Sequence, residues 1–523
     1  MKRPIIARAD FATGTALWAA AKIRVLQWNR RAASPERLRK VQEETLLAHC
    51  RAAAQTEFGR EHSLDGVRSY ADYASRMPLR IYAGFEPYLE RMRKGERNIL
   101  YPGFIEYYGH SSGSSNTAAA HKYLPISPEQ IRWQQRAGFD IVARYLTLSG
   151  DKRLPGGYML GLLPPALIRK DGPVGISSNP GLMQLHMPRA AKLLQLPQPP
   201  VRDIEIYDQK LNAMAEAYLD YDVRGITGTT CWFSIFFDRL IAAAQARGRK
   251  VSTVAEIWPN LGALFGGGVH AAPYRQIISE RMGRPHVLID NYNATEGGLF
   301  AASDRLDDHG MLMIPDRGIF FEFVPRAEHG KADAKRVPLW DVEPGVDYSM
   351  AVTTSSGLFS YYMGDVVRFS SIFPHRMEFA GRTGGVLSVT QELTSFIELE
   401  RAVSEATRVN PCSLVDFTAS SEVGIDGTAK GRYLFFVEFD RAPADLQSFT
   451  TSVDKELCLQ NRVYREHRMK DVAILSPIVI ALPKGSTGRF MQAMGMNSVQ
   501  NKFPRIIDQS RRELLQSVVL QSQ

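Results

Sequence analysis

His110-Ser111-Ser112-Gly113-Ser114-Ser115-Asn116-Thr117-Ala118-Ala119-Ala120-His121-Lys122-Tyr123-Leu124-Pro125 is the stretch on which the reading of this 523-residue chain turns. Five hydroxyl side chains and one glycine fall within residues 111–117, and Lys122 follows five further on. Upstream, residues 98–101 and 104–108 predict two short strands. Downstream, Ser127 stands where it can cap a helix opened by Pro128-Glu129-Gln130. A hydroxyl-rich turn after a strand offers backbone N–H and Oγ donors to one anion, and a lysine adds the charge a polyphosphate needs. Taken alone, the stretch reads equally as a polar surface loop.

The totals bound what surrounds it. A chain of this length exceeds one ordinary core, so two or more domains are expected. Apolar residues make up 44% and charged residues 23%, the proportions of a soluble globular protein. The net charge of +9 is spread without long basic runs, which argues against a nucleic-acid arm and suits anionic ligands or plain solvated surface. Cys50, Cys231, Cys412 and Cys458 are scattered without C-x-x-C spacing, so neither a zinc site nor a disulfide framework is predicted and a reducing cytoplasm fits. Arg8, Asp10, Lys22 and Arg24 interrupt the N-terminal apolar residues, so no signal peptide is read. No uncharged stretch is long enough to span a bilayer.

Residues 1–60 carry helical spacing. Leu17, Ala20, Ala21, Val25 and Trp28 predict one core-facing stripe, or a peripheral membrane contact; Leu38, Val41, Thr45, Leu46 and Cys50 predict a second. From about 130 to 370, strand-like and helical runs alternate in an α/β rhythm. Within it, 157–163 reads as a strand and 202–220 as connection and helix. Residues 224–230 lead into an aromatic helix over 231–240, in which Trp232, Phe233 and Phe236 are candidates for the apolar wall of a ligand pocket. Gly266-Gly267-Gly268 either lets backbone approach a flat ligand or is a plain turn.

A buried strand at 287–289 is read as running into a turn, Asn291-Tyr292-Asn293-Ala294-Thr295-Glu296-Gly297-Gly298. A carboxylate there is placed for a cation or a ribose, or merely favours a helix N-terminus. Gly364-Asp365 between strands projects an acceptor pair, or is a hairpin turn. The string Gly381-Arg382-Thr383-Gly384-Gly385 suits a domain boundary, with Gln391-Glu392-Leu393 opening a helix. Beyond it, strands at 434–439 and 472–475 alternate with helices near 392–408, 443–458 and 506–520, a compact α+β unit. Lys502-Phe503-Pro504-Arg505 reads as a basic turn before the final helix, or as a cation presented to a ligand.

The nucleotide P-loop G-x-x-x-x-G-K-[ST] is absent. The opening stretch instead resembles S-S-G-[ST]-[ST]-G-x-x-K-x-x-P of adenylate-forming enzymes. Its second glycine is replaced by Asn116-Thr117, and Lys122 lies three residues later than in that signature. Tyr292-Asn293-Ala294-Thr295-Glu296-Gly297 resembles Y-x-x-[ST]-E-G of the Gretchen Hagen 3 family of acyl acid amido synthetases. Tyr361-Tyr362-Met363-Gly364-Asp365-Val366-Val367 resembles that family's Y-R-x-G-D-V-V with tyrosine for arginine, and Lys502-Phe503-Pro504-Arg505 its Lys-x-Pro-Arg. The chain is similar to the family from about 40 to 510, with the motifs in the family's order.

That resemblance implies an α/β fold with a large adenylate-forming domain of mixed sheets and helices, residues 1–383, and a smaller mobile α+β domain, residues 384–523. It implies an ATP- and Mg²⁺-dependent ligase that makes an acyl-adenylate and transfers the acyl group to an amino acid or other amine. Ser111, Ser112, Gly113, Ser114, Ser115 and Lys122 would meet the phosphates. Gly267 and Gly268 would lie by the adenine, Tyr292 on its face, Thr295 at the α-phosphate and Glu296 on magnesium. Asp365 would take the ribose, Arg382 would join the nucleotide set, and Lys502, Lys122 and Thr295 would act in catalysis. Small acids and amines are the expected partners, with no nucleic acid and no stable membrane insertion. Transfer to coenzyme A, adenylation alone, or a binding protein that has lost catalysis stay open.

Overall fold

The structure is a computed structural model of the chain, describing residues 1–4, 10–111, 122–268, 271–306, 310–328, 331, 334–382, 386–387, 389, 392, 394–423, 425, 430–471, 474–496 and 502–520. Two compact units are present. The first comprises Met1–Thr229, Arg239–Gly268 and Pro285–Glu378; the second comprises Thr230–Asp238, Val269–Arg284 and Phe379–Gln523.

Three sheets build the first unit. One is wholly parallel, with strands Gln195–Leu196, Tyr158–Leu162, Val223–Gly228, Ala263–Phe265 and Val287–Ile289 in that spatial order. Its apolar runs are covered in part by the helix Pro128–Ser149, through a core that includes Tyr145, Leu146, Ala263, Phe265 and Ile289. Ser127 caps that helix as the sequence predicts, its Oγ accepting from Gln130 N–H at 3.1 Å. A second, four-stranded sheet holds the strand Tyr107–Ser111 antiparallel to Lys122–Ile126 and parallel to Val174–Ser177. The third has eight strands, beginning at one edge with Asn291–Ala294 and Gly298–Ala302 and containing the long strand Tyr361–Ser371.

The second unit is an α+β layer. Strand Gly431–Arg441 lies between Ser413–Val423 and Ile478–Leu482. Alternate side chains serve opposite faces. Tyr433, Phe435 and Val437 pack with Leu399, Val403, Phe449 and Val453 of the helices Phe396–Val409 and Leu446–Gln460. Leu434 and Phe436 pack with Phe490, Phe503 and Leu515 on the other side.

Several local expectations are corrected. Residues 98–101 are not a strand: Asn98 is left-handed (φ 59°) and closes a loop with Gly103 through its N–H and Oδ1, so Ile99 and Leu100 are buried without a ladder. On the helix Asp10–Ala32 the inward residues are Trp18, Ala21, Val25 and Trp28, while Leu17 and Ala20 face outward. The residues after Ile289 are not a turn but the edge strand Asn291–Ala294. Gly364-Asp365 is no hairpin either; it lies inside the strand Tyr361–Ser371. The helix expected at 391 begins at Phe396, because Ser395 and Glu398 form a reciprocal capping box. The expected strand at 472–475 falls partly outside the described residues; Ile474 makes only a bridge to Gly431, and the paired strand is Ile478–Leu482. Among the described residues no helix is long and apolar enough to cross a membrane.

Candidate active site

The parallel sheet delivers the first pieces. Ligands in such sheets gather at the strands' carboxyl ends, where the chain leaves the ladder with unpaired backbone groups. Strands Ala263–Phe265 and Val287–Ile289 pair side by side, and their exits stay together. Gly266 N–H donates to Ile289 O at 2.9 Å, Asn291 N–H donates back to Gly266 O at 3.1 Å, and Asn291 Nδ2 also donates to that oxygen. A Cβ on Gly267 would lie 2.8 Å from Asn291 O and 2.9 Å from its Oδ1, so glycine is required by close approach. Gly268 is exposed at φ +80°. The triple glycine is therefore no loose turn; it is bonded to the start of the Tyr292 motif.

Tyr292 stands on the edge strand with its ring at 5.2 Å and 73° to Phe300. Its hydroxyl donates to Asp365 Oδ2 at 2.5 Å. Asp365 is 3% exposed, so this carboxylate is directed by its bonds and not by water. The strand bulges to place it: Tyr362 pairs with Ala351 and Val366 with Ser349, leaving three residues opposite Met350, with Gly364 at φ +77°. Two motifs more than seventy residues apart thus meet in one hydrogen bond.

Thr295 follows the same edge strand. A Cβ on Gly109 would sit 2.5 Å from Thr295 Cγ2, so the threonine packs directly on the strand that enters the hydroxyl stretch. At the strand's end Ser111 is paired across the ladder with Lys122, and Lys122 Nζ lies 5.8 Å from the Tyr82 ring centroid. Ser112, Gly113, Ser114 and Ser115 lie outside the described residues, and of Ser111 only the backbone is described. Glu296, half-buried, occupies the turn between Asn291–Ala294 and Gly298–Ala302. Magnesium that travels with nucleotide takes one or two protein carboxylates and completes its shell with phosphate and water oxygens. A single glutamate fits that donor set; among the described residues no cluster of three or more His, Cys, Asp or Glu forms a ready-made cage.

Models of the N-terminal, central and C-terminal domains of the GH3 family match residues 32–163, 312–382 and 397–511. The chain belongs to the GH3 family. An indole-3-acetic acid-amido synthetase from Oryza sativa subsp. indica is 24% identical over 547 aligned positions, covering 89% of this chain and 88% of that one. A probable indole-3-acetic acid-amido synthetase from Oryza sativa subsp. japonica is 32% identical over a shorter stretch, 36% of this chain and 33% of that one. The fold matches a solved GH3.15 acyl acid amido synthetase with TM-score 0.74 at 19% identity, over 92% of this chain and 93% of that structure. A solved 2-hydroxyisobutyryl-CoA ligase matches with TM-score 0.58 at 14% identity, over 94% and 93%.

The remaining candidates of this GH3 chain lie in the second unit. Arg382 ends the strand Arg376–Arg382, and its side chain is outside the described residues. Lys502 is exposed and precedes Phe503, which packs against Phe490 at 5.9 Å. Arg505, three residues on, is half-buried; its guanidinium donates to Glu400 Oε1 at 2.8 Å, to Asp416 Oδ1, to Phe417 O at 2.9 Å and to Tyr274 Oη at 2.5 Å. Those acids hold its proton well above the ordinary range against the cost of burial. The arginine anchors the segment on which Lys502 stands. The neighbouring Gly485-Ser486-Thr487-Gly488 string offers no anion cradle, since the Glu438 carboxylate already accepts from Gly485 N, Thr487 N and Thr487 Oγ1. Phe233 and Phe236 are fully buried and Trp232 half-buried, so the two phenylalanines serve packing first. Sequence reasoning missed Gly109 and Gln130; their signal was only a glycine two residues before the serines and a glutamine in the first helical turn.

Proposed function

We propose that this GH3 chain activates a carboxylic acid with ATP as its acyl-adenylate and transfers the acyl group to an amine, an amino acid first of all. The observation that carries this reading is the meeting of the segment from Asn291 to Thr295 with Gly109, Gly267 and Asp365. Family membership and the amido synthetase names of the relatives support it.

In the first half-reaction a substrate carboxylate oxygen attacks the α-phosphorus, and the bond to pyrophosphate breaks. In the second the amine nitrogen attacks the acyl carbon, AMP leaves with the carboxyl-derived oxygen, and the nitrogen loses a proton. In this reading Gly267 and Gly268 admit the adenine edge, Tyr292 covers its face and Asp365 accepts ribose hydroxyls. The residues 111–115, Lys122 and Thr295 offset charge developing on the phosphates. Glu296 would hold magnesium, which supplies further neutralisation of phosphate charge. Lys502, on the smaller domain from residue 384 onward, would act in a closed state that keeps water from the mixed anhydride. Among the described residues Cys50, Cys412 and Cys458 are free thiols, which suits a reducing cytoplasm.

The test is product mass. Incubation with ATP, magnesium, a panel of aromatic and aliphatic acids and mixed amino acids should give AMP and a product of acid plus amine minus water. A thioester with added coenzyme A and no amide would overturn the amine acceptor; AMP formation with no acid present would overturn acid activation.

A further inference from the structure

Thr295 is held from two sides by residues that none of the motifs names. Its methyl group packs where a Cβ of Gly109 would stand, at 2.5 Å. Its carbonyl accepts from Gln130 Nε2 at 3.0 Å. Gln130 is 1% exposed, so its amide cannot be served by water and its partners must be protein groups. They are: Ser127 N–H donates to Ser356 Oγ at 2.9 Å, Ser356 Oγ donates to Gln130 Oε1, and Gln130 Nε2 donates to the Thr295 carbonyl. The chain has one direction. Flipping the amide would set its oxygen against the Thr295 carbonyl and leave the serine hydroxyl facing an NH₂ group.

Three segments are joined by this relay. Ser127 follows the strand Lys122–Ile126, whose first residue pairs with Ser111. Ser356 lies in the turn that precedes Tyr361–Ser371, the strand of Asp365. Thr295 immediately precedes Glu296. A buried network in which each side-chain polar atom has a partner fixes geometry, and active-site groups misplaced by an ångström lose much of their effect.

We propose that Gly109 and Gln130 are positioning residues that fix Thr295, and with it Glu296, for the phosphate chemistry. This rests on the adenylation reading. The readout is acid-dependent ATP–pyrophosphate exchange, with thermal melting recorded for every variant. Gln130→Leu, which keeps the volume and removes both hydrogen bonds, should lower exchange turnover on the order of tenfold to a hundredfold. The apparent KM for the acid should change little.

Gln130→Glu gives the sharper test. In its neutral form the new carboxyl has the amide's shape, with an O–H for the Thr295 carbonyl and an oxygen for Ser356; ionised, it repels the carbonyl. Burial raises such a carboxyl's pKa, so the variant-to-wild-type ratio should fall as pH rises from 5 to 8. Glu129 and Glu296, adjacent in sequence to Gln130 and Thr295, titrate in every variant, and Gln130→Leu, which adds no ionisable group, is the control for them. The Gln130→Leu ratio should stay flat with pH.

Gly109→Ala should impair exchange, and adding Thr295→Ser, which deletes Cγ2, should return it toward the Thr295→Ser level. A pH-independent Gln130→Glu ratio together with no recovery in the double variant overturns the proposal while exchange by the wild type upholds the adenylation reading. Wild-type protein that exchanges with no acid in the panel overturns both.

Discussion

The Tyr292 hydroxyl donates a 2.5 Å hydrogen bond to Asp365 Oδ2, joining residues 73 positions apart at the edge of the candidate nucleotide site. A hydroxyl on a nearly buried carboxylate orients it for the ribose contact proposed above. Tyr292→Phe keeps the ring and deletes this donor. We expect a loss of roughly 2 kcal/mol in unfolding free energy, as for a hydrogen bond to a charged group. Nucleotide affinity measured by calorimetry should fall by about tenfold, the equivalent of roughly 1.4 kcal/mol. Unaltered stability and affinity would show that the bond does not organise the site.

Gly267 and Gly268 make separable predictions. Gly267→Ala places a Cβ 2.8 Å from the Asn291 carbonyl, so the edge strand that carries Tyr292 and leads to Thr295 must shift. Gly268→Ala, at an exposed position with φ +80°, costs about 1–2 kcal/mol of backbone strain. Exchange activity should fall far more in the first than in the second, at similar melting temperatures. Equal effects would mean that the close approach to Asn291 does not matter.

How much of this was legible beforehand follows from the kind of interaction. Tyr292, Thr295, Glu296, Gly267 and Asp365 could be named because their residue types sit in recognisable local strings, and the capping Ser127 because a cap is a local hydrogen bond. The bulge at Gly364 was not legible, since a Gly-Asp pair serves a hairpin equally well and only pairing with 349–351 decides. Nor was the edge strand Asn291–Ala294, whose small polar residues have turn propensity overridden by the ladder to Gly298–Ala302. Gln130 reads as a surface residue of an amphipathic helix until Thr295 and Ser356 arrive from distant parts of the chain.

Acid should weaken the fold through two histidines. Burial lowers His375, set between Phe369 and Phe373, and also His49, to about 4. The unfolded chain protonates near 6.5 while the folded chain does not, so their neutral forms contribute stability that is complete above pH 6.5 and lost as pH falls toward 4. For His375 the difference at pH 5 is roughly 2 kcal/mol. Urea unfolding of His375→Leu at pH 7 and 5 should show a shallower loss than wild type. An identical loss would exclude His375 from the acid response.

Lys502 is exposed on the segment that Arg505 anchors, and the role proposed for it is a contact made in one state of the enzyme. Lys502→Ala should leave melting within about ±0.5 kcal/mol of wild type, as for surface changes generally. Turnover should fall more than ATP affinity changes, the pattern of a contact made mainly on the way to the transition state. Full amide synthesis by the variant would return Lys502 to an ordinary basic turn.

The most direct measurement of the central claim is pyrophosphate exchange into ATP, run with and without each acid and repeated for Glu296→Gln. Acyl-adenylation at this site predicts exchange that depends on a particular acid and on magnesium, and that nearly disappears in Glu296→Gln while the protein stays folded. Exchange that survives in Glu296→Gln at ordinary magnesium concentration, or none with any acid in the wild type, would contradict it.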